Sequence, residues 1–196
     1  MIHGVHPATG DALLIVDAQI DFCPGGALPI ESGDQVIPVI NHWIEDFIEQ
    51  GLPVYASRDW HPRDHLSFIP EGGRWPPHCI QDTPGAAFHP ELRLPASAVI
   101  ITKGVRFDQD QNSAFDQTGL EAHLSRKKTG RLFVAGLALD VCVLATIMDA
   151  RNAGLEVVLI LEGTRPVTAD GGAEALVRMQ TAGVSVMDGN RPRGEN

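Results

Sequence analysis

Short apolar runs alternate with amphipathic segments along most of this chain. Six runs have the length of a buried strand: residues 12–16, 53–57, 98–102, 131–135, 156–161 and 184–187. Four segments between them carry apolar residues at helical spacing: residues 33–50, 117–127, 142–154 and 170–181. This alternation predicts an α/β fold, in which a parallel six-stranded sheet carries helices on both faces in three layers.

The alternation is interrupted after residue 59 by a long stretch that is rich in Pro and Gly. Loops of this length without regular structure are usually either functional or disordered. Four aromatic residues argue against disorder: Trp60, Phe68, Trp75 and Phe88. We therefore expect one domain over residues 1–196, with an ordered, functional loop insertion at about 58–95.

This loop insertion contains side chains that bind metal ions. Asp59 and His61 stand two residues apart, and His78 follows after His65. One carboxylate and two ring nitrogens suit a borderline divalent ion such as zinc, iron or manganese. Histidines and aspartates in loops also cap turns, so both interpretations stay open on these residues alone.

Four chemically useful side chains lie at or just after predicted strand ends. Asp17, Asp59, Lys103 and Cys142 occupy these positions, and the carboxyl ends of parallel strands meet at one edge of a sheet. Cys142 also begins a predicted helix, where backbone N–H groups favour a thiolate. Each residue alone has a structural explanation, but a thiol, a base and a cation together provide the groups needed for nucleophilic acyl transfer.

Composition narrows the classes of molecule that this protein is expected to bind. The chain has 196 residues, 43% of them hydrophobic, and a formal net charge of −10. The negative charge argues against nucleic acid and anionic membranes and favours a small neutral or cationic substrate. Three cysteines without a CxxC motif imply no disulfide framework. With no signal peptide or membrane span in the sequence, we expect a cytoplasmic protein.

Several motifs, spread from Leu13 to Met187, carry a resemblance to a known family. They are Val16-Asp17-Ala18-Gln19, Phe22, Gly25-Gly26, Asp59-Trp60-His61-Pro62, His65, Ser67-Phe68, Trp75-Pro76-Pro77-His78-Cys79, Thr83-Pro84-Gly85-Ala86, Lys103-Gly104, Ser113-Ala114-Phe115, Gly136, Asp140 and Cys142-Val143. The chain resembles the nicotinamidases (pyrazinamidases) of the isochorismatase-like cysteine hydrolases, which have a Rossmann-like three-layer fold. Asp, Lys and Cys at strand ends mark the superfamily, and the metal loop with Trp-Pro-Pro-His-Cys narrows the resemblance to nicotinamidases.

The resemblance implies a catalytic triad of Asp17, Lys103 and Cys142. Asp17 is expected to move protons, Lys103 to hold the charged network, and Cys142 to attack the amide carbonyl and form a thioester. The implied oxyanion hole consists of the backbone N–H groups of Ala138 and Cys142, with a cis peptide bond before Ala138. Nicotinamide would become nicotinate and ammonia, and pyrazinamide would become pyrazinoate.

The resemblance also implies a metal that binds the pyridine nitrogen and orients the amide. Its expected ligands are Asp59, His61 and His78, with zinc as the first choice of ion and iron or manganese as alternatives. Whether His65 binds the metal directly is left open. Phe22 and Trp75 are expected to sandwich the pyridine ring.

Two departures from the family pattern affect the predicted pocket. Val141 precedes the cysteine where the family often has an aromatic residue or His, and Asn112 precedes Ser113-Ala114-Phe115 where an aromatic residue is usual. An alternative is therefore a cysteine hydrolase for another small amide or ureido compound. A second alternative is a metal-binding scaffold without activity. The sequence leaves a homo-oligomer open.

Overall fold

The computed structural model describes residues 5–187 and has the predicted α/β architecture. Its strands are β1 (Asp11–Val16), β2 (Val54–Asp59), β3 (Val99–Lys103), β4 (Arg131–Leu137), β5 (Glu156–Arg165) and β6 (Ser185–Met187). Its α-helices are α1 (Val36–Glu49), α2 (Leu120–Arg126), α3 (Leu144–Asn152) and α4 (Ala169–Thr181). The ends of the predicted domain, residues 1–4 and 188–196, lie outside the described residues.

All six strands are parallel and lie in the order β3-β2-β1-β4-β5-β6. Strand order therefore reverses between β1 and β4, which pair from Asp11↔Arg131 to Val16↔Gly136. Open parallel sheets bind ligands outside the carboxyl ends of their strands at such a reversal. The topology thus predicts a site beyond Val16 and Leu137.

Both faces of the sheet are buried, because side chains alternate along β1 between two cores. Leu14 and Val16 pack against α2, α3 and α4, whereas Leu13 and Ile15 pack against α1. All six residues of β1 are buried, which explains why its sequence is continuously apolar. The prediction of helices on both faces is confirmed. None of the helices in residues 5–187 is long and apolar enough to cross a membrane.

The structure differs from the predicted boundaries chiefly at the site edge of the sheet. β4 continues to Leu137. β5 continues to Arg165, and its pairing register with β4 shifts between Val134 and Gly136. Beyond β4 the chain forms a single π-helical turn, Leu139–Val143, before α3 begins at Leu144. Cys142 therefore lies in a wide turn rather than at the start of an α-helix.

Candidate active site and metal centre

Three strand ends bring Asp17, Lys103 and Cys142 together, as the sequence predicts. Asp17 follows β1 in a left-handed conformation, with φ of 47°, which Asp tolerates better than most residues. Lys103 ends β3, and Cys142 lies in the turn after β4. Asp17 and Lys103 have no solvent exposure and Cys142 has 7%.

The Lys103 ammonium is the centre of this cluster. It lies 2.8 Å from Asp17 Oδ2, donates to Asp59 Oδ1 at 2.6 Å, and lies 3.5 Å from Cys142 Sγ. Lys103 and Asp59 are also directly paired in the β2/β3 ladder, so the backbone fixes their relative position. One buried cation therefore contacts the thiol, the Asp17 carboxylate and the predicted metal ligand Asp59.

Burial and charge shift the proton affinities of these groups in different directions. Burial raises the pKa of Asp17, although Lys103 opposes this. Burial would also raise the pKa of Asp59, but Lys103 and His61 hold it well below its usual range. The pKa of Lys103 is raised because the surrounding carboxylates outweigh its burial.

Burial raises the pKa of the Cys142 thiol well above its usual value, and the carboxylates of Asp17 and Asp59 add to this. The expectation that backbone N–H groups favour the thiolate stays a prediction. The positive charge of Lys103 opposes this shift in the pKa of Cys142. A proton acceptor beside the sulfur is required, and a carboxylate oxygen of Asp17 lies within 4.8 Å of Cys142 Sγ.

Asp59, His61 and His78 form a compact group of metal-ligating atoms. Each residue offers one ligand atom, and all three atoms lie within 4.8 Å of one another. The three side chains are buried. Lys103 bonds Oδ1 of Asp59, whereas Oδ2 lies 3.7 Å from His61 Nε2. One carboxylate oxygen is thus directed toward the histidines.

Backbone carbonyls set the tautomers of the two histidines. His61 Nδ1 lies 2.9 Å from the carbonyl oxygen of Gly104, and His78 Nδ1 lies 2.8 Å from that of Pro76. A carbonyl only accepts, so both Nδ1 atoms carry a proton and both Nε2 atoms keep a lone pair. Two imidazole nitrogens and one carboxylate oxygen fit a divalent ion such as zinc. The donor set supports a divalent metal at this position.

His65 is buried beside this group but is not part of it. Its ring centroid lies 4.3 Å from that of His61, and its Nδ1 is 2.8 Å from Ser67 Oγ. Burial lowers the pKa of His65, a shift that Asp110 opposes. The chain makes a turn in which the His65 N–H donates to the Pro62 carbonyl.

The thiol and the metal-ligating group face one cavity. The predicted residues that line it are Phe22, Trp75, Asp59, His61, His78, Ala138 and Cys142. Phe22 lies 5.5 Å from the His78 ring, centroid to centroid. Arg74 stacks on Trp75, with its guanidinium 4.7 Å from the indole centroid. The two departures, Val141 and Asn112, also line the cavity.

The turn after β4 contains the predicted cis peptide bond. The peptide bond between Leu137 and Ala138 is cis. The Ala138 carbonyl accepts from the N–H groups of both Val141 and Val143, at 3.1 and 3.0 Å. Ala138 and Cys142 therefore lie on one tight turn that borders the cavity.

Sequence reasoning missed three buried residues that support the site. Ser57 donates to Asp17 Oδ1 at 2.7 Å. The Gln19 side chain donates to the carbonyls of Asp59 and Ala86 and accepts from the Asp59 N–H, each at 2.8 Å. Asp21 accepts from the Cys79 N–H at 2.7 Å. Gln19 lies within a quoted motif, but nothing in the sequence indicates its partners.

Comparison with known proteins agrees with this geometry. Residues 11–191 match the isochorismatase domain. A nicotinamidase of Escherichia coli is 37% identical over 89% of this chain and 93% of its own length. The pyrazinamidase of Pyrococcus horikoshii, solved in complex with zinc, superposes with a TM-score of 0.88 and 41% identity over 91% of this chain and 99% of its own. PnC1 from L. infantum, solved in complex with nicotinate, superposes with a TM-score of 0.87 and 35% identity over 95% of this chain and 96% of its own.

The chain belongs to the isochorismatase domain family. The family match confirms the resemblance on which the sequence-based expectations rest. It also confirms that the chain is a hydrolase.

Proposed function

We propose that this protein is a metal-dependent nicotinamidase, which converts nicotinamide to nicotinate and ammonia and also acts on pyrazinamide. One observation carries the proposal: the Cys142 thiol lines the same cavity as three metal-ligating residues, and behind it the buried Lys103 amine contacts both the thiol and the Asp17 carboxylate. The relatives support the substrate, because those compared are named nicotinamidase or pyrazinamidase or contain nicotinate.

In the proposed first step, Asp17 takes the proton of the Cys142 thiol. The raised pKa of the Asp17 carboxyl makes it a better base than an exposed aspartate. Lys103 lies 2.8 Å from Asp17 and 3.5 Å from the sulfur, so its positive charge compensates the anion on either atom. The proton can therefore move without leaving a buried charge unpaired.

The thiolate then attacks the amide carbon and breaks its π bond, which leaves a negative charge on the carbonyl oxygen. We assign stabilisation of this oxyanion to the backbone N–H groups of Ala138 and Cys142. When the C–N bond breaks, the departing amine takes the proton from Asp17 and leaves as ammonia. Water attacks the resulting thioester and passes a proton to Asp17. As the C–S bond breaks, Asp17 returns this proton to the sulfur, and the carboxylic acid leaves and gives its own proton to solvent.

We assign metal binding to Asp59, His61 and His78 on the loop insertion at about 58–95. When bound, a divalent ion supplies a coordination position for the pyridine nitrogen and so orients the amide. Zinc is our first choice, because two imidazoles and a carboxylate suit it and a family member was solved with it. Phe22 and Trp75 supply apolar surfaces for the flat ring.

The first experiment is to measure ammonia release from nicotinamide by purified protein before chelation, after chelation, and after re-addition of zinc, iron or manganese. We expect turnover that stops on chelation and returns with metal. Pyrazinamide, assayed in parallel, measures preference in a pocket that contains Val141 and Asn112.

Absence of turnover with every metal, while an alkylating probe still modifies Cys142, would contradict the nicotinamidase proposal. It would favour a different small amide or ureido substrate. Metal binding without reaction of Cys142 would favour a metal-binding scaffold without activity.

All three cysteines are free thiols, which agrees with the predicted absence of a disulfide framework. The cytoplasmic location stays a prediction.

A further inference from the structure

Asp140 lies at the centre of the nucleophile turn, yet its side chain has no part in the proposed chemistry. Its neighbours Ala138, Val141 and Cys142 line the cavity, whereas Asp140 does not. The π-helical turn instead packs against α4. A half-buried carboxylate here must obtain its hydrogen bonds from that direction.

The Asp140 carboxylate binds the backbone just before α4. Oδ1 accepts from the Val167 N–H at 2.8 Å, and Oδ2 accepts from the Thr168 N–H at 3.3 Å. Thr168 caps α4 by accepting from the Gly171 N–H at 3.1 Å. Within residues 5–187 no lysine or arginine forms an ion pair with Asp140. The amides and the positive end of α4 therefore balance its charge.

The first turn of α4 is shaped to accept this carboxylate. A Cβ atom added at Gly171 would lie 2.4 Å from Asp140 Oδ2, and one added at Gly172 would lie 2.9 Å from the Pro166 ring. Both positions allow close approach only because they lack side chains. Val167, whose N–H binds Asp140, itself lines the cavity. One carboxylate thus joins the turn that carries the thiol to another part of the cavity wall.

We propose that Asp140 is a positioning residue that holds the Ala138–Cys142 turn, and so the thiol and the two oxyanion-binding N–H groups, in reactive geometry. This inference rests on the proposed function. Misplacement of reacting groups by about 1 Å can cost roughly 100-fold in rate. Asp140→Ala is therefore expected to lower kcat about 100-fold, with KM changed less than about threefold.

Asp140→Asn is the conservative variant and covers the case in which the alanine variant fails to fold. Its amide oxygen can still accept from Val167, but its NH₂ group would face the Thr168 N–H, another donor. We expect kcat to fall about 10-fold, between the wild type and the alanine variant. The rate at which iodoacetamide alkylates Cys142, followed by peptide mass spectrometry, should fall in the same order.

Asp11→Asn is the control, because Asp11 also accepts a backbone N–H, that of Ala8 at 2.7 Å, at the opposite end of the sheet, where it pairs with Arg131 as well. It should lower the melting temperature while leaving kcat and alkylation unchanged. The proposal would be overturned if Asp140→Ala lost no more kcat than this control, or if its KM rose by as large a factor as its kcat fell. Alkylation of Cys142 at the wild-type rate in Asp140→Ala would overturn it as well. Alkylation needs no substrate, so an inactive wild-type protein would contradict the nicotinamidase function and still leave Asp140 testable.

Discussion

The two halves of the candidate site are built in different ways. The sheet edge, defined here as Asp17, Lys103 and Cys142, is held by parallel strands and the turn after β4. The metal loop, residues 60–98, contains 3₁₀ turns but no α-helix or strand among these described residues. Backbone ladders fix the sheet edge, whereas side-chain bonds from Gln19 and Asp21 and backbone contacts hold the loop. Mutations in the two parts therefore disturb different kinds of contact.

Removing the nucleophile should have the largest effect. Cys142→Ala is expected to lower ammonia release by about four orders of magnitude or more, because no other group at the sheet edge can form the thioester. Calorimetry should still detect nicotinamide binding, since the metal loop is unchanged. Cys23→Ala, at a buried free cysteine outside the set of cavity-lining residues, is the control. Turnover retained in Cys142→Ala would contradict the mechanism.

Breaking the metal loop instead should affect binding more than chemistry. His61→Ala removes one ligand atom of the three-residue group, so metal content should fall and KM should rise roughly 100-fold. Elemental analysis and steady-state kinetics measure the two effects. His89→Ala alters a histidine of the same loop outside this group and should change neither. Wild-type kinetics for His61→Ala in metal-free buffer would remove the orienting role of the metal.

The contact between the two halves can be broken without removing any functional side chain. Gly104 follows β3 with φ of 71°, and a Cβ there would lie 2.5 Å from His61 Cε1. Gly104→Ala should displace His61 and weaken metal affinity roughly 10-fold, as measured by competition with a chromogenic chelator. Gly119→Ala has the same backbone strain, with φ of 80°, but meets nothing within 4 Å. Equal metal affinity in the two variants would exclude the steric explanation.

The smallest catalytic effect is expected where the loop is fastened to the sheet. Gln19→Ala leaves the Asp59 N–H and two buried carbonyls without their partner. We expect the free energy of unfolding to fall by about 2–3 kcal/mol, with kcat reduced less than about threefold in the folded, metal-loaded enzyme. Urea titration measures the stability. Gln81→Ala is the control: it loses one hydrogen bond, to the Trp60 carbonyl, and should lower the free energy of unfolding by about 1 kcal/mol. An equal loss of stability in the two variants would contradict this role of Gln19.

The same contrast explains what the sequence could and could not predict. Lys103 and Asp17 were predictable, because a buried apolar run identifies a strand and parallel strands end at a common edge. The partners of Gln19 were not, because they are 40 and 67 residues away and no periodic pattern records them. The apolar spacing around Cys142 predicts the start of a helix, because this spacing does not distinguish an α-helix from a π-helical turn.

β5 was predicted to end at residue 161, but it continues to Arg165. Pairing resumes beyond the irregularity, where Thr164 and Arg165 lie opposite Gly136 and Leu137. That continuation depends on contacts between strands, which the local sequence does not contain. The resemblance supplied the remaining ligand and oxyanion assignments, and the structure brings those residues to one cavity.

Lys103 is shared by two carboxylates, and this has a thermodynamic consequence. One ammonium contacts both Asp17 and Asp59, so the buried cluster has more potential negative than positive charge. A proton on Asp17 or a divalent cation at Asp59 corrects the imbalance, and the two act against each other. A divalent ion held by Asp59 would therefore lower the affinity of Asp17 for its proton.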